Sequence, residues 1–161
     1  DLVVLGKGMA NGFELSAVCG KKEAMDVPEY FISSTFSGST MALAACQATI
    51  AKISQKNLKD LMFYGKRLQS KLNALHADIK FEGYGTRAML NLEHPTTALF
   101  AQEMCNAGVI FGKAFFYNFS HLEEDVESKI INIAEGVVSM IKDGQCKYHG
   151  ELPNFSFKRN K

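Results

Sequence analysis

The sequence predicts an α/β fold: strands and loops at the amino end, then a long helical region, then a small unit that mixes helices and strands. Three patterns predict this order. A uniformly apolar run, Leu2–Leu5, ends at Gly6 and is typical of a buried strand that stops at a loop. Stretches with helical spacing occupy the middle of the chain, and short apolar runs alternate with helical patterns after them. We therefore divide the chain into residues 1–56 and residues 57–161.

The first part contains two predicted strands joined by a turn-rich connection. After Leu2–Leu5, Gly8 and the pair Asn11-Gly12 supply flexible or left-handed backbone positions. Residues 15–19 are interpreted as the second strand, which ends at Gly20. A polar stretch and residues 30–32 then lead into the segment 33–38, Ser-Ser-Thr-Phe-Ser-Gly.

Two helices are predicted in the middle of the chain. Ser39 or Thr40 can cap the first, and residues 41–53 have high helix propensity. The helical pattern restarts at Asn57, with leucines at spacings of three, four and seven residues. These leucines are predicted to face the core: Leu58, Leu61, Leu68, Leu72 and Leu75.

The remainder of the chain alternates short strands with helices. Glycines at 83 and 85 break the helical pattern, and residues 88–92 are predicted to form a strand. Thr96 or Thr97 can cap a helix that ends in a left-handed turn at Asn106-Ala107-Gly108, and residues 109–111 read as the next strand. The last helix carries an apolar stripe from Val126 to Ile141 and ends at Asp143-Gly144.

Composition excludes several classes of function. Hydrophobic residues make up 47% of the chain and charged residues 22%, which is enough for a packed core. The net charge of +1 argues against a nucleic-acid surface, and no apolar run approaches the roughly 20 residues that cross a bilayer. The four scattered cysteines have no metal-ligand spacing; we expect them to be buried, and we expect a reducing cytoplasm and no metal. The abrupt start at Asp1, without an initiator Met, leads us to expect further sequence upstream.

Lys7 is the first candidate for chemistry. An amine at the end of a buried strand, flanked by Gly6 and Gly8, can be partly desolvated, and this favours the neutral form that Schiff-base chemistry requires. An ordinary solvated lysine at a strand end is the commoner case. The spacing Gly6-x-Gly8-x-x-Asn11 also imitates a dinucleotide fingerprint, but the third glycine is absent and a strand, not a helix, follows. Nucleotide binding is therefore disfavoured.

Three blocks of the sequence resemble the class-III aminotransferases, which use pyridoxal 5'-phosphate (PLP), and they occur in the family's order. Residues 1–17, DLVVLGKGMANGFELSA, resemble the segment of the cofactor lysine, with the glutamate-1-semialdehyde aminomutase-like branch the most similar. Ser34-Thr35-Phe36-Ser37-Gly38 and the small-residue helix after it resemble the segment whose Thr binds the cofactor phosphate. Residues 99–109, then Asn118-Phe119-Ser120-His121 and the final helix, resemble the small C-terminal domain.

This resemblance implies a type I PLP-dependent transferase fold. Residues 1–56 would be the end of the large PLP-binding domain and the start of the connecting helix, and residues 57–161 the rest of that helix and a small α+β C-terminal domain. The implied enzyme is an aminotransferase or aminomutase acting on a small amino/keto or aldehyde acid. Lys7 would hold the cofactor through a Schiff base and, once released by substrate, carry the proton between cofactor and substrate carbons. Thr35 would donate its hydroxyl to the phosphate of the neighbouring subunit's cofactor, so a homodimer is implied.

The sequence departs from the family pattern at two places. Glu14 stands where the family has Pro, and Ser39-Thr40 stand where it has an Asn-Pro pair. These changes affect loop stiffness and the entry to the long helix, and they remove no reacting group. Arg87 is a candidate substrate-carboxylate clamp, because arginine binds carboxylates bidentately; a surface or salt-bridged arginine is the commoner case. None of the four histidines is assigned a role.

Several parts that the resembled family needs cannot be placed before Asp1. In that family the acidic partner of the pyridine nitrogen, the stacking aromatic, the main phosphate loop and most specificity residues lie upstream of the lysine. We therefore expect these residues alone to catalyse little or no transamination, and the substrate cannot be identified. The alternative from another class is a catalytically incompetent fragment or remnant that acts as a structural or interaction module. A PLP racemase or decarboxylase on the same scaffold is a further alternative.

Overall fold

The chain folds into two compact units, Asp1–Asn57 and Leu58–Lys161. The computed structural model describes residues 1–26, 31, 33–110 and 112–153. The division follows Asn57; the assignment of the two parts to a large-domain end and a small C-terminal domain stays a prediction. Most of residues 30–32, and Phe111 of the predicted strand 109–111, lie outside the described residues.

The first unit begins with an antiparallel pair of strands. Strand β1 (Leu2–Leu5) pairs with β2 (Ala17–Gly20), with Leu2 opposite Gly20 and Leu5 opposite Ala17. The prediction of a buried strand is wrong here: the four residues of β1 are between 45% and 72% exposed. The reason is that β2 is the one strand paired with β1 in the described part of the chain, and a two-stranded ribbon leaves its faces uncovered.

Helices complete the first unit. A single turn, α1 (Lys22–Met25), follows β2, and α2 spans Thr40–Lys52. As predicted, Ser39 caps α2, because its hydroxyl accepts a hydrogen bond from the Ala42 N–H at 3.5 Å. Ser54 and Asn57 then form a reciprocal capping box: the Ser54 N–H donates to Asn57 Oδ1 at 2.7 Å, and the Asn57 N–H donates to Ser54 Oγ at 3.2 Å. This box explains the restart at Asn57 and begins α3 (Gln55–Asn73).

The second unit packs helices on one face of a three-stranded antiparallel sheet. The sheet order is β3 (Phe81–Tyr84), β4 (Arg87–Leu90), β5 (Ala114–Phe116), and the helices are α3, α4 (Pro95–Asn106) and α5 (Val126–Lys142). Side chains alternate between the two faces of a strand, and in this sheet the residues of one face are buried in the core. The core includes Leu68, Leu72, Phe81, Leu90, Phe100, Met104, Phe115, Ile130 and Val137.

Several expectations for the second unit need correction. Strand β3 was not predicted: the chain continues as a strand through Gly83, whose φ of +113° a glycine tolerates. Residues 109 and 110 are not a strand; β5 comes later, at Ala114–Phe116. The N-cap of α4 is His94, with Pro95 first in the helix, because the Thr97 hydroxyl instead donates to the Asp78 carbonyl at 3.0 Å. Leu58 is 44% exposed, so it does not belong to the core stripe.

The predicted ends of α4 and α5 are confirmed. Gly108 (φ +90°) and Gly144 (φ +66°) adopt the left-handed conformation directly after the caps. In each case the next N–H returns to the helix: Val109 donates to Met104 at 2.8 Å, and Gln145 donates to Met140 at 2.9 Å. This pattern satisfies carbonyls that the last helical turn leaves without partners.

The cysteine prediction is wrong in one respect. Cys19 and Cys105 are exposed, Cys46 and Cys146 are partly exposed, and all four are free thiols. Within the described ranges, no three or more His, Cys, Asp or Glu side chains are grouped to hold a metal ion. Among the helices of that same part of the chain, none combines the length and apolar character that crossing a membrane requires.

Candidate functional site

Lys7 begins a single 3₁₀ turn, Lys7–Ala10, directly after β1. Its backbone lies in the left-handed region with φ +52°, as does that of Asn11 with φ +47°. A lysine gains nothing from this conformation, which costs on the order of 1–2 kcal/mol, so the surrounding turn must hold it there. Met9 donates to the Gly6 carbonyl at 3.2 Å, and Ala10 is completely buried. The turn therefore gives the side chain of Lys7 a defined starting direction.

Lys7 is exposed and lines a cleft of about 420 Å³ in the first unit. The cleft combines one amine with hydroxyl groups, aromatic rings and one carboxylate. Its lining residues are Lys7, Phe13, Glu14, Leu15, Ser16, Ser34, Phe36 and Ser37. Such a set of an amine, several hydroxyl donors and flat apolar surfaces suits a planar, ring-containing anion.

The segment 33–38 contributes one wall of this cleft through a compact turn. The Ser37 N–H donates to the Ser34 carbonyl at 3.2 Å, and the Ser37 hydroxyl donates to the same carbonyl at 2.9 Å. Thr35 lies in this turn and is exposed. The lining residues include its neighbours Ser34 and Phe36, and Thr35 is not among them. The structure thus brings Lys7 together with the two residues that flank Thr35.

Arg87 lies in the second unit, at the start of β4. It is opposite Tyr84 of β3 and Phe116 of β5, and its guanidinium carbon is 5.4 Å from the centre of the Phe116 ring. Arg87 is exposed. The contact with Phe116 was not foreseen, because it depends on the register of a strand that the sequence did not locate.

A second cleft, of about 770 Å³, lies in the second unit between α3, α5 and the 3₁₀ turn Phe119–Leu122. Its lining includes an ion cluster in which Glu127 accepts hydrogen bonds from Arg67, including one from Arg67 Nε at 3.0 Å, and from Lys71 Nζ at 2.6 Å. The bonds from Arg67 hold the pKa of Glu127 below its ordinary value, and Lys71 adds to this effect. Sequence reasoning missed this cluster.

Tyr64 and His121, which line this cleft, pack against further aromatic side chains. The rings of Tyr64 and Tyr117 meet edge to face at 6.0 Å, and His121 lies 5.7 Å from Phe115. Burial raises the pKa of both tyrosines, and Glu127 adds to the effect at Tyr64. Both tyrosine hydroxyls are buried, and neither bonds to another described residue. His121 also closes a capping box with Asn118, so it has a structural role that was not assigned.

The similarity of this chain to a known protein family covers the whole first unit and part of the second. The family model of aminotransferase class-III matches residues 1–120. An acetylornithine aminotransferase of Halalkalibacterium halodurans is 37% identical over 75 residues, which are 45% of this chain and 20% of that protein. A glutamate-1-semialdehyde 2,1-aminomutase of Nitrosopumilus maritimus is 37% identical over 59 residues, which are 34% of this chain and 14% of that protein. Relatives of both kinds match, so these similarities do not single out the aminomutase-like branch.

A solved structure is similar over most of the chain. It is the PLP internal aldimine form of the FumI protein from Sphingopyxis sp. MTA144, with a TM-score of 0.77 and 22% identity. The similarity covers 90% of this chain and 38% of that one. It confirms the predicted α/β fold. The chain therefore spans a fifth or less of these curated relatives and under two fifths of the solved structure.

Proposed function

Because the chain belongs to the class-III aminotransferase family, we propose that it is part of a PLP-dependent aminotransferase or aminomutase in which Lys7 holds the cofactor. Its substrate would be a small amino/keto or aldehyde acid. The observation that carries the proposal is the cleft around Lys7, which lies inside the region matched by the family. The proposal includes both reactions, transfer of the amino group to a second molecule and its exchange within one molecule.

The residues of the cleft fit the cofactor. Pyridoxal phosphate combines an aldehyde, an aromatic ring and a phosphate. Lys7 supplies the amine, Phe13 and Phe36 supply flat apolar surface, and the hydroxyls of Ser16 and Ser34 are donors for an anion. When bound, the cofactor supplies an electron sink for the breaking of a bond at the substrate carbon.

Lys7 has two roles in this proposal. Its Nζ binds the cofactor while the site waits for substrate. Once substrate has displaced it, the neutral amine takes a proton from one carbon and returns it to another. The left-handed turn at Lys7 supports this double role, because it fixes the backbone while the long side chain stays free to move.

Thr35 is proposed to serve a second subunit. Its hydroxyl would donate to a phosphate oxygen in the partner's site, and the enzyme would be a homodimer in the cytoplasm. Its exposed position between two residues that line the Lys7 cleft supports this role. In the same proposal residues 1–56 end the large domain, residues 57–161 build the small one, and Arg87 binds the substrate carboxylate.

Reductive labelling tests the cofactor site. The protein is incubated with pyridoxal phosphate and reduced with borohydride, and the pyridoxyl adduct is mapped by peptide mass spectrometry. We expect the adduct to concentrate on Lys7, and we expect Lys7→Arg to abolish this peak. Lys21→Arg is the matched control, since Lys21 is an exposed lysine paired with Asp1 at 3.1 Å outside the cleft.

A second arm of the experiment examines the phosphate. Pyridoxal without phosphate should label Lys7 less than the phosphorylated cofactor does, because the hydroxyl donors of the cleft recognise the anion. Other lysines should show no such difference. Labelling of Lys7 equal to that of the other lysines would contradict the proposed function.

A further inference from the structure

The exposed face of the second unit's sheet carries a row of three large side chains. Tyr84, Arg87 and Phe116 are direct cross-strand neighbours in β3, β4 and β5, so their side chains lie on the same face. Tyr84 is 74% exposed and Phe116 is 61% exposed. The opposite face of the same strands is buried, with Ala88 at 0%. The three side chains are therefore exposed on a sheet whose other face packs against the core.

The backbone below the row is held by direct hydrogen bonds. Lys66 Nζ donates to the Gly83 carbonyl, Gln69 Nε2 donates to the Tyr84 carbonyl at 2.8 Å, and the Tyr117 N–H donates to the Thr86 carbonyl at 3.1 Å. Three anchoring points, at Gly83, Tyr84 and Thr86, thus come from α3 and from the residue after β5. A hairpin held in this way presents Tyr84 and Arg87 in a fixed geometry.

Arg87 keeps its hydrogen-bonding capacity within this row. The guanidinium carbon of Arg87 lies over the Phe116 ring, 5.4 Å from its centre, and the guanidinium carries five N–H donors in a planar fork. In the described part of the chain no carboxylate forms an ion pair with Arg87. The arrangement therefore offers a positive, fork-shaped donor between two exposed aromatic rings.

We propose that the row Tyr84–Arg87–Phe116 binds a carboxylate that is joined to a flat apolar group. The carboxylate would accept two hydrogen bonds from Arg87, and the apolar group would lie on the aromatic rings. The identification of this acid as a substrate rests on the proposed function. The substrate class would then be acids with an aromatic or other flat apolar body, in preference to short aliphatic acids.

Glu82 provides an internal check on the charge argument. It is exposed and lies on the same face, opposite Met89, and so diagonal to Arg87. At this spacing of roughly 7–8 Å between Cα atoms, its negative charge opposes the arrival of a carboxylate. Removing the charge of Glu82 should therefore strengthen binding, a gain that a partly unfolded variant would not show.

The test is a nuclear magnetic resonance titration of the ¹⁵N-labelled protein without cofactor. The probe is hydrocinnamate, and its uncharged amide and acetate are the comparison ligands. We expect hydrocinnamate to shift the Arg87 and Tyr84 signals with a Kd on the order of a few millimolar. The amide and acetate should each bind about tenfold more weakly, because each lacks one half of the recognised group.

Four variants separate the contributions. Arg87→Gln should weaken binding about tenfold or more, and Phe116→Leu about two- to fivefold, since it removes the ring that holds the guanidinium. Glu82→Gln should tighten binding about twofold. Lys129→Gln removes an equivalent charge at an exposed position of α5 and should leave the Kd unchanged.

Other outcomes would overturn the inference. Equal binding of the acid and its amide would show that Arg87 does not recognise the charge. Signal changes that depend on protein concentration, and not on ligand, would show that the row is a contact between copies of the chain. The reductive labelling of Lys7 is independent of this titration, so failure at Arg87 and failure of the proposed function are distinguishable.

Discussion

Replacing Glu127 by glutamine removes the charge that joins α3 to α5. In the folded chain the Glu127 carboxylate accepts hydrogen bonds from Arg67 Nε at 3.0 Å and from Lys71 Nζ at 2.6 Å. The side chain of Glu127 is 16% exposed, while those of Arg67 and Lys71 are 45% and 52% exposed. Glu127→Gln keeps the shape of the side chain and one oxygen acceptor, and it removes the negative charge that strengthens the bonds from Arg67 and Lys71.

The expected loss follows from these exposures. A hydrogen bond to a charged group contributes about 1.5–3 kcal/mol when buried, but an ion pair at the surface contributes about 0.2–1 kcal/mol. The two cations are about half exposed and the carboxylate is largely covered, so each bond belongs near the upper end of the surface range. We expect Glu127→Gln to lower the free energy of unfolding by about 1–2 kcal/mol. With a typical urea dependence this lowers the unfolding midpoint by about 0.5–1 M.

The assay is urea unfolding followed by circular dichroism across a range of pH. Arg67 lowers the pKa of Glu127 in the folded chain from its ordinary value of 4.5, so the folded state holds the proton less tightly than the unfolded state does. The stabilisation is therefore fully present above the ordinary pKa and is lost as the pH falls through the folded pKa. The difference between the wild type and Glu127→Gln should be largest near neutral pH and should disappear in acid.

Glu135→Gln is the matched control, because Glu135 is an exposed glutamate of the same helix. It should change stability by less than about 0.5 kcal/mol at every pH. If Glu127→Gln and Glu135→Gln behaved alike, or if the loss at Glu127 persisted unchanged in strong acid, the ion-pair reasoning would be refuted.

Further predictions concern packing and backbone contacts, measured by the same unfolding assay. Gly65→Ala should destabilise by about 3 kcal/mol or more, because a Cβ there would lie 1.7 Å from the Gly85 carbonyl oxygen; a mild effect would contradict the close approach of the two backbones. Gly136→Ala is its counterpart in α5 and should stabilise by about 0.5–1 kcal/mol, because open space surrounds the new methyl group. Asn73→Ala should cost about 1–3 kcal/mol, since the Asn73 amide bonds to both the N–H and the carbonyl of Phe81 at 2.7 and 3.0 Å; hydrogen exchange at Phe81 no faster than in wild type would argue against it.

Features with a local cause were predictable from the sequence. Ser39 caps α2, and glycines end α4 and α5, because capping depends on residues within one or two turns of the helix end. The apolar stripe of α5 was predictable for the same reason, since helical spacing is a local pattern. Lys7 was a candidate for chemistry because glycines flank it and because the whole segment resembles a known family.

Features that depend on tertiary pairing were not predictable. Strand β3 contains Gly83 and exists because it pairs with β4, which no local pattern of residues 81–84 indicates. Thr97 looked like a helix cap, but its hydroxyl bonds to a carbonyl 19 residues earlier. Arg67 and Glu127 are 60 residues apart in the sequence, so neither segment by itself predicts their contact. The left-handed backbone of Lys7 was equally hidden, because lysine does not favour that conformation.

The contact between Gly65 and the turn at Gly85 fixes the distance between α3 and the turn that joins β3 to β4. Helix and turn meet through backbone atoms, with no side chain as a spacer, so their separation cannot be adjusted by substitution. Tyr84 and Arg87 stand on either side of this turn and point away from the contact. Substitutions at these two positions should therefore leave the position of the backbone unchanged. We therefore expect relatives that share both glycines to present different side chains from the same two backbone positions.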